Sequence, residues 1–136
     1  MTYEFEVPGK VIGKGRPRLN SYTGVVYTPT KTKDYETLVE QYFLLKYPRF
    51  KALEGRIKVN IIAYFSTPKT TKKSDINEML ENNISPTKKP DIDNIVKVVL
   101  DSMNKFAFKD DNQITKLEVE KKYALEDKVY IKIEEY

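Results

Sequence analysis

The sequence predicts an α/β (α+β) domain in which one mainly antiparallel, mixed sheet is covered by helices. Three observations predict it. Segments of alternating apolar residues stand near both ends of the chain and at its centre, at Thr2–Val7, Arg56–Phe65 and Val129–Ile133. Segments with a helical apolar period, at about Lys33–Tyr47 and Ile92–Met103, lie between them. The length is 136 residues, with 40% hydrophobic and 32% charged side chains, which suits a single modest core, so residues 1–136 are read as one domain.

Taken in order, Thr2 to Val7 sets Tyr3, Phe5 and Val7 against Thr2, Glu4 and Glu6, a half-buried strand that Pro8-Gly9 ends. Val11-Ile12 adds a short extension. Gly13-Lys14-Gly15-Arg16-Pro17-Arg18 follows as a basic, glycine-punctuated segment, and Ser21 to Tyr27 reads as a turn into a second short strand. Thr30 or Thr32 is placed to cap the first helix, whose inner face carries Tyr35, Leu38, Val39, Tyr42 and Leu45 until Pro48 ends it. Arg56 to Phe65 is the strongest strand, with Ile57, Val59, Ile61 and Ala63 on one side. Ser66 to Lys89 is polar, a loop or arm around one short helix at about Lys73–Glu81. In the next helix Ile92, Ile95, Val96, Val99 and Met103 share a face, and Asn104 starts a non-periodic segment. Gln113 to Tyr123 alternates imperfectly, with a slip near Lys116; after a turn at Ala124–Asp127, Val129, Ile131 and Ile133 complete a terminal hairpin.

Composition narrows the chemistry. The chain has no cysteine, which excludes disulfides and thiolate metal sites and fits a cytoplasmic location. It has no histidine, which excludes histidine triads and the usual zinc sites. No apolar run approaches the ~20 residues of a membrane span, and acids stand at the N-terminus where a secretory signal needs bases, so no membrane partner is expected. The net charge is +4, unevenly placed: Val7 to Lys33 holds no acid but carries Lys10, Lys14, Arg16, Arg18, Lys31 and Lys33. Glycines that let the backbone approach a phosphate, arginine forks and the aromatic Tyr22 and Tyr27 together point to a nucleic acid partner.

Against that background, the stretch from Lys88 to Gln113 gathers Asp91, Asp93, Asp101, Asp110 and Asp111. Asp91 and Asp93 stand at a helix start, with Lys97 and Asp101 following at four-residue spacing. Two readings of these residues are open. The aspartates cap free N–H groups, Asp93–Lys97–Asp101 form a surface ion-pair ladder and Asp110-Asp111 make a polar turn. Alternatively, the chain doubles back after Met103, and three carboxylates converge on a hard cation at the helix N-terminus.

The composite pattern Asp91-x-Asp93-Asn94, Lys97, Asp101 and Asp110-Asp111-x-Gln113 resembles the RusA family of Holliday junction resolvases. The opening, with Pro-Gly-Lys, Lys-Gly-Arg-Pro-Arg and Tyr-Thr-Pro before a helix, resembles that family too, so the likeness spans nearly the whole chain. It implies an endonuclease that cuts four-way DNA in recombination and repair, working with Mg²⁺ as a homodimer. Asp91 and Asp93 are the first candidates for metal ligands, and the resemblance carries the third role onto Asp111, with Asp110 as the alternative. Lys97 is a candidate to meet the scissile phosphate. Asn94 and Asp101 are read as supporting residues, Asn94 ordering the helix start and Asp101 orienting Lys97. Lys14, Arg16, Arg18, Lys88 and Lys89 are the candidate DNA contacts. Gln113 matches the pattern without a physical role. Two alternatives remain: a nuclease of the same fold acting on other branched DNA, and a non-catalytic DNA-binding module.

Overall fold

The computed structural model describes residues 1–136. Its strands are β1 (Thr2–Pro8), β2 (Arg18–Leu19), β3 (Val26–Tyr27), β4 (Ile57–Ser66), β5 (Ile114–Ala124) and β6 (Lys128–Glu135). Its helices are α1 (Thr30–Lys46), α2 (Lys73–Leu80) and α3 (Ile92–Met103). Four strands form one sheet in the order β1-β6-β4-β5; β4 runs parallel to β5 and antiparallel to β6, and β6 is antiparallel to β1. β2 and β3 form a separate two-stranded ribbon.

The alternation of β4 explains where the core lies. Ile57, Val59, Ile61, Ala63 and Phe65 are all buried on one face, joined by Val129, Ile131 and Ile133 of β6 and by Phe5 and Val7 of β1. The other face carries Lys58, Asn60, Tyr64, Tyr130 and Lys132, only partly covered, as in a sheet packed on one side. α1 and α3 lie together on the buried face. Phe43 of α1 is fully buried and meets Phe5, Phe50 and Phe106 edge-to-face at 5.3, 4.9 and 5.5 Å.

The elements appear in the predicted order, with instructive departures. α1 starts three residues early, after Pro29, and no side chain caps it. Thr32 instead accepts a hydrogen bond from the Gly15 N–H at 2.9 Å. Its buried face is Thr32, Tyr35, Val39 and Phe43, whereas Leu45 is 77% exposed. Leu38 and Tyr42 are partly buried neighbours of this core. On α3 the buried set is Ile95, Val98, Val99, Ser102 and Met103, so the inner face is turned away from Ile92, which is 45% exposed. The slip near Lys116 is real: Ile57 pairs with Ile114 but Lys58 pairs with Lys116, leaving Thr115 as an extra residue. That bulge lets both Ile114 and Leu117 align with the inward residues Ile57 and Val59.

The predicted terminal hairpin does not form. β5 and β6 are consecutive but not neighbours, because β4 lies between them. Leu125–Asp127 carry the chain across the end of β4, over two strand spacings of about 4.8 Å each. Asp127 seals the crossing: its carboxylate accepts the Ser66 N–H at 2.9 Å and the Ser66 hydroxyl at 3.1 Å, and its carbonyl accepts the Gly9 N–H at 3.0 Å.

The observed α1 face makes a paired test. Phe43→Ala should destabilise the fold by about 3–5 kcal/mol through lost burial and a cavity. Leu45→Ala should stay within about 0.5 kcal/mol of the parent. Urea unfolding of both variants checks the assignment; comparable losses would mean that Leu45 is packed.

Candidate active site

Three segments meet at the start of α3. Gly13 lies against it so closely that a Cβ there would sit 2.7 Å from Pro90 Cβ and 3.2 Å from Asn94 Cβ. The next residue, Lys14, donates its N–H to the Asn94 carbonyl at 2.9 Å. Gly15 then binds Thr32 at the start of α1. The basic segment is thus held between two helix N-termini. A cleft of ≈ 550 Å³ opens there, with Arg16, Lys89, Asp91 and Asn94 in its walls.

Asp91 is the N-cap residue of α3, yet its side chain makes no capping hydrogen bond. Asp93 follows in the first turn, and both residues are exposed. Two free carboxylates therefore stand at the positive end of a helix dipole. The predicted ion-pair ladder is not formed. Asp101 binds Lys14 at 3.0 Å, and Lys14 also binds Glu36 of α1 at 3.2 Å. Lys97 is exposed and takes part in no ion pair. An i,i+4 pair is worth only about 0.2–0.5 kcal/mol, so a lysine already anchored by its backbone competes well for Asp101.

This reassigns two residues. Asp101 pairs with Lys14 rather than Lys97, and Lys14, a candidate DNA contact by sequence, ties α1 to α3. Burial works to lower the Lys14 pKa, but hydrogen bonds and charge from Asp101 and Glu36 outweigh it and raise the pKa. The Asn94 carbonyl accepts the Lys14 N–H, which ties the basic segment to the start of α3. Arg16, Arg18, Lys88 and Lys89 are exposed. The Lys88 ammonium lies over the Phe65 ring, 5.6 Å from its centroid, and its carbonyl accepts a hydrogen bond from Lys121 near the end of β5.

Asp110 and Asp111 do not join Asp91 and Asp93. After Met103 the chain turns, with Lys105 at φ 76°, and Ala107 and Phe108 plunge into the core. The Leu53 N–H binds the Ala107 carbonyl at 2.9 Å, and the Lys109 N–H binds Leu53 at 3.3 Å. These contacts keep the acidic pair at the C-terminal end of α3. Asp101, the nearest other acid to act on Asp111, lies about 15 Å along the helix from Asp91. The pKa of Asp111 is raised, first by its hydrogen bond to Asp110, then by desolvation and by the charges of Asp110 and Asp101. Within one chain no three metal-binding side chains come close enough to enclose an ion.

Gln113, whose role was not legible in the sequence, anchors this turn. Its Oε1 accepts the Asp110 N–H at 2.9 Å, while its Nε2 donates to the carbonyls of Leu53 and Gly55, each at 2.9 Å. Asp110-Asp111 is therefore a held structure, not a loose polar turn. The ribbon pairing of Arg18-Leu19 with Val26-Tyr27 was missed as well; the Asn20-to-Gly24 turn between them is the signal that marks it.

The family model of endodeoxyribonuclease RusA matches residues 8–134. The chain belongs to the RusA family. It is accordingly an endodeoxyribonuclease, an enzyme that hydrolyses DNA, in a family of Holliday junction resolvases. The non-catalytic alternative falls with this match. The chain is also 33% identical to the uncharacterised protein YqaN of Bacillus subtilis (strain 168), over 97% of this chain and 95% of that one. No helix of this RusA-family chain is long and apolar enough to cross a membrane.

The Gln113 anchor predicts a stability effect without contact to DNA. Gln113→Ala removes three hydrogen bonds, to the Asp110 N–H and to the carbonyls of Leu53 and Gly55, two of them in exposed positions, and should cost about 0.5–1.5 kcal/mol. Gln113→Glu should be no better, since a carboxylate cannot donate to the carbonyls of Leu53 and Gly55. Thermal melts of both variants are the check; an unchanged melting temperature would show the anchor to be dispensable.

Proposed function

We propose that this RusA-family enzyme is a Mg²⁺-dependent homodimer that resolves four-way DNA by paired symmetric nicks in recombination and repair, in the cytoplasm. The observation that carries the reading is the separation of the carboxylates: Asp91 and Asp93 at one end of α3, Asp110 and Asp111 at the other. A second copy set antiparallel along α3 and β5 would bring Asp111 of each protomer to Asp91 and Asp93 of its partner. β5 is an edge strand, and Leu117 on it and Ile92 on α3 remain 43% and 45% exposed along that side. A two-fold axis also generates the two equivalent sites that a four-way junction requires.

The donor set fits the ion. Only oxygen ligands are present, with neither histidine nor cysteine anywhere in the chain, and such sites suit Mg²⁺, which keeps several waters. Asp91 and Asp93 would hold it together with Asp111 of the partner, Asp110 standing as the alternative. When bound, the ion supplies Lewis acidity, making water a better nucleophile and offsetting charge on the phosphoryl oxygens. The chain's own residues do the rest. Arg16, Arg18, Lys88 and Lys89 hold phosphates on both sides of the carboxylates. Lys97, one turn beyond Asp93 and unpaired, offers an ammonium to charge that develops on the scissile phosphate.

Mixed dimers test the shared site. D91N/D93N and D110N/D111N variants should each be inactive alone with a junction and Mg²⁺. Mixed and allowed to exchange, they should regain single nicks, because one site of each heterodimer then has all its carboxylates. Differently tagged subunits that exchange fully yet cut nothing would place each site within one chain. Binding of linear, flapped and four-way DNA in the same buffers separates a junction enzyme from one acting on other branched DNA.

Lys97 gives a second test. Lys97→Ala should leave the melting temperature unchanged, since no ion pair is lost, while single-turnover cleavage falls about 10²–10³-fold. Lys97→Arg should restore only part of the rate, because a planar fork is a poor substitute for a compact ammonium. A normal cleavage rate for Lys97→Ala would remove it from the chemistry.

A further inference from the structure

Every residue from Arg16 to Tyr27 is exposed. Among them are Leu19, Val25, Val26 and Tyr27, and Tyr22 at the tip is 97% exposed. β2 and β3 pair only with each other, Arg18 opposite Tyr27 and Leu19 opposite Val26. The tip is nonetheless well formed. The Asn20 N–H binds the Val25 carbonyl at 2.9 Å, the Gly24 N–H binds the Asn20 carbonyl at 2.8 Å, and the Asn20 side chain accepts the Tyr22 N–H at 2.9 Å. Gly24 takes φ +70°, which a side chain would resist. A two-stranded ribbon alone in water is marginally stable, and a run of exposed apolar side chains on it marks a binding surface.

The chemistry of the partner follows from what surrounds the ribbon. No acid lies between Val7 and Lys33, and Arg16 at the ribbon's root shares the cleft with Asp91 and Lys89. The partner is therefore a polyanion that passes the carboxylates. Phosphates have no use for Leu19, Val25 and Val26, whereas the faces of nucleobases do. In a linear duplex those faces are stacked, and prising them apart costs free energy; at a branch point the stack is already interrupted.

We propose that the ribbon is a branch-point probe: Tyr22, flanked by Leu19 and Val26, stacks on a base left unstacked where DNA strands exchange, and so selects branched DNA over linear duplex. This rests on the branched-DNA reading above and assigns the element that recognises the branch. Phosphate contacts hold both substrates alike, so the probe acts on their ratio.

Tyr22→Ala is the variant to use, because a side chain so exposed does not support the fold. Affinities are measured without divalent metal, for a four-way junction and for a linear duplex of matching sequence. The expected result is a loss of about ten- to a hundredfold in junction affinity, with duplex affinity within about twofold of the parent and its salt slope unchanged. Tyr22→Trp should retain junction affinity. With 2-aminopurine at the branch point, the parent should change the emission and Tyr22→Ala should not. Equal losses on both substrates, or none on the junction, would overturn the ribbon's role while leaving junction cleavage by the parent intact. A parent protein that neither prefers nor cuts junctions would overturn the branched-DNA reading, and this inference with it.

Discussion

The close approach of Gly13 to Pro90 and Asn94 governs how the cationic and acidic parts of the molecule are combined. With no side chain at that position, the chain slides between the starts of α1 and α3 and is fixed there by the N–H groups of Lys14 and Gly15. Both helices therefore begin at the same end of the molecule, and their partial positive charges add to those of Arg16, Arg18, Lys88 and Lys89. A phosphate backbone is drawn to that end. Asp91 and Asp93 stand in the middle of this attractive field and repel the same phosphate. In the reading proposed above, a divalent cation held by Asp91 and Asp93 would offset that repulsion.

The sheet and the three helices were legible because their apolar periods are long and regular. β4 alternates over its whole length, and α2 appeared where a short helix was expected. The errors share one origin, which is that partners distant in sequence decide which face is inner. Leu45 and Phe43 suit a helix interior equally by period; only the ring cluster with Phe5, Phe50 and Phe106 selects Phe43. Adjacent strands at the C-terminus looked like a hairpin because nothing local reveals that β4 will enter between them. At the site, the chemical types were readable but the spatial grouping was not. Asp101 could pair with Lys97 or Lys14 by charge, and the backbone bond of Lys14 to Asn94 decides it.

The placement of Asp110 and Asp111 shows that a surface carboxylate is positioned by the core beneath it. Phe108 is buried two residues before Asp110, and Gln113 is bound to the backbone just before β4. The pair moves only if those anchors move. α3 then acts as a spacer of fixed length between two acidic groups, and the dimer proposed above is one way in which groups held so far apart in one chain could share a site.

The sheet order carries a consequence for how the enzyme comes into being. β6 follows the other strands of the sheet in sequence, yet it lies between β1 and β4. Until Lys128–Glu135 has left the ribosome, β1 has no neighbour to bond to and the inner face of β4 lacks Val129, Ile131 and Ile133. Closing a sheet across nearly the full chain length is a late and slow event in folding. Asp91, Asp93 and the cationic ribbon are all translated well before it, but α1 and α3 have no completed surface to hold them in register. The segment that completes the sheet is thus the one that joins its two ends in sequence, and loosening Lys128–Glu135 would open β1 and β4 together.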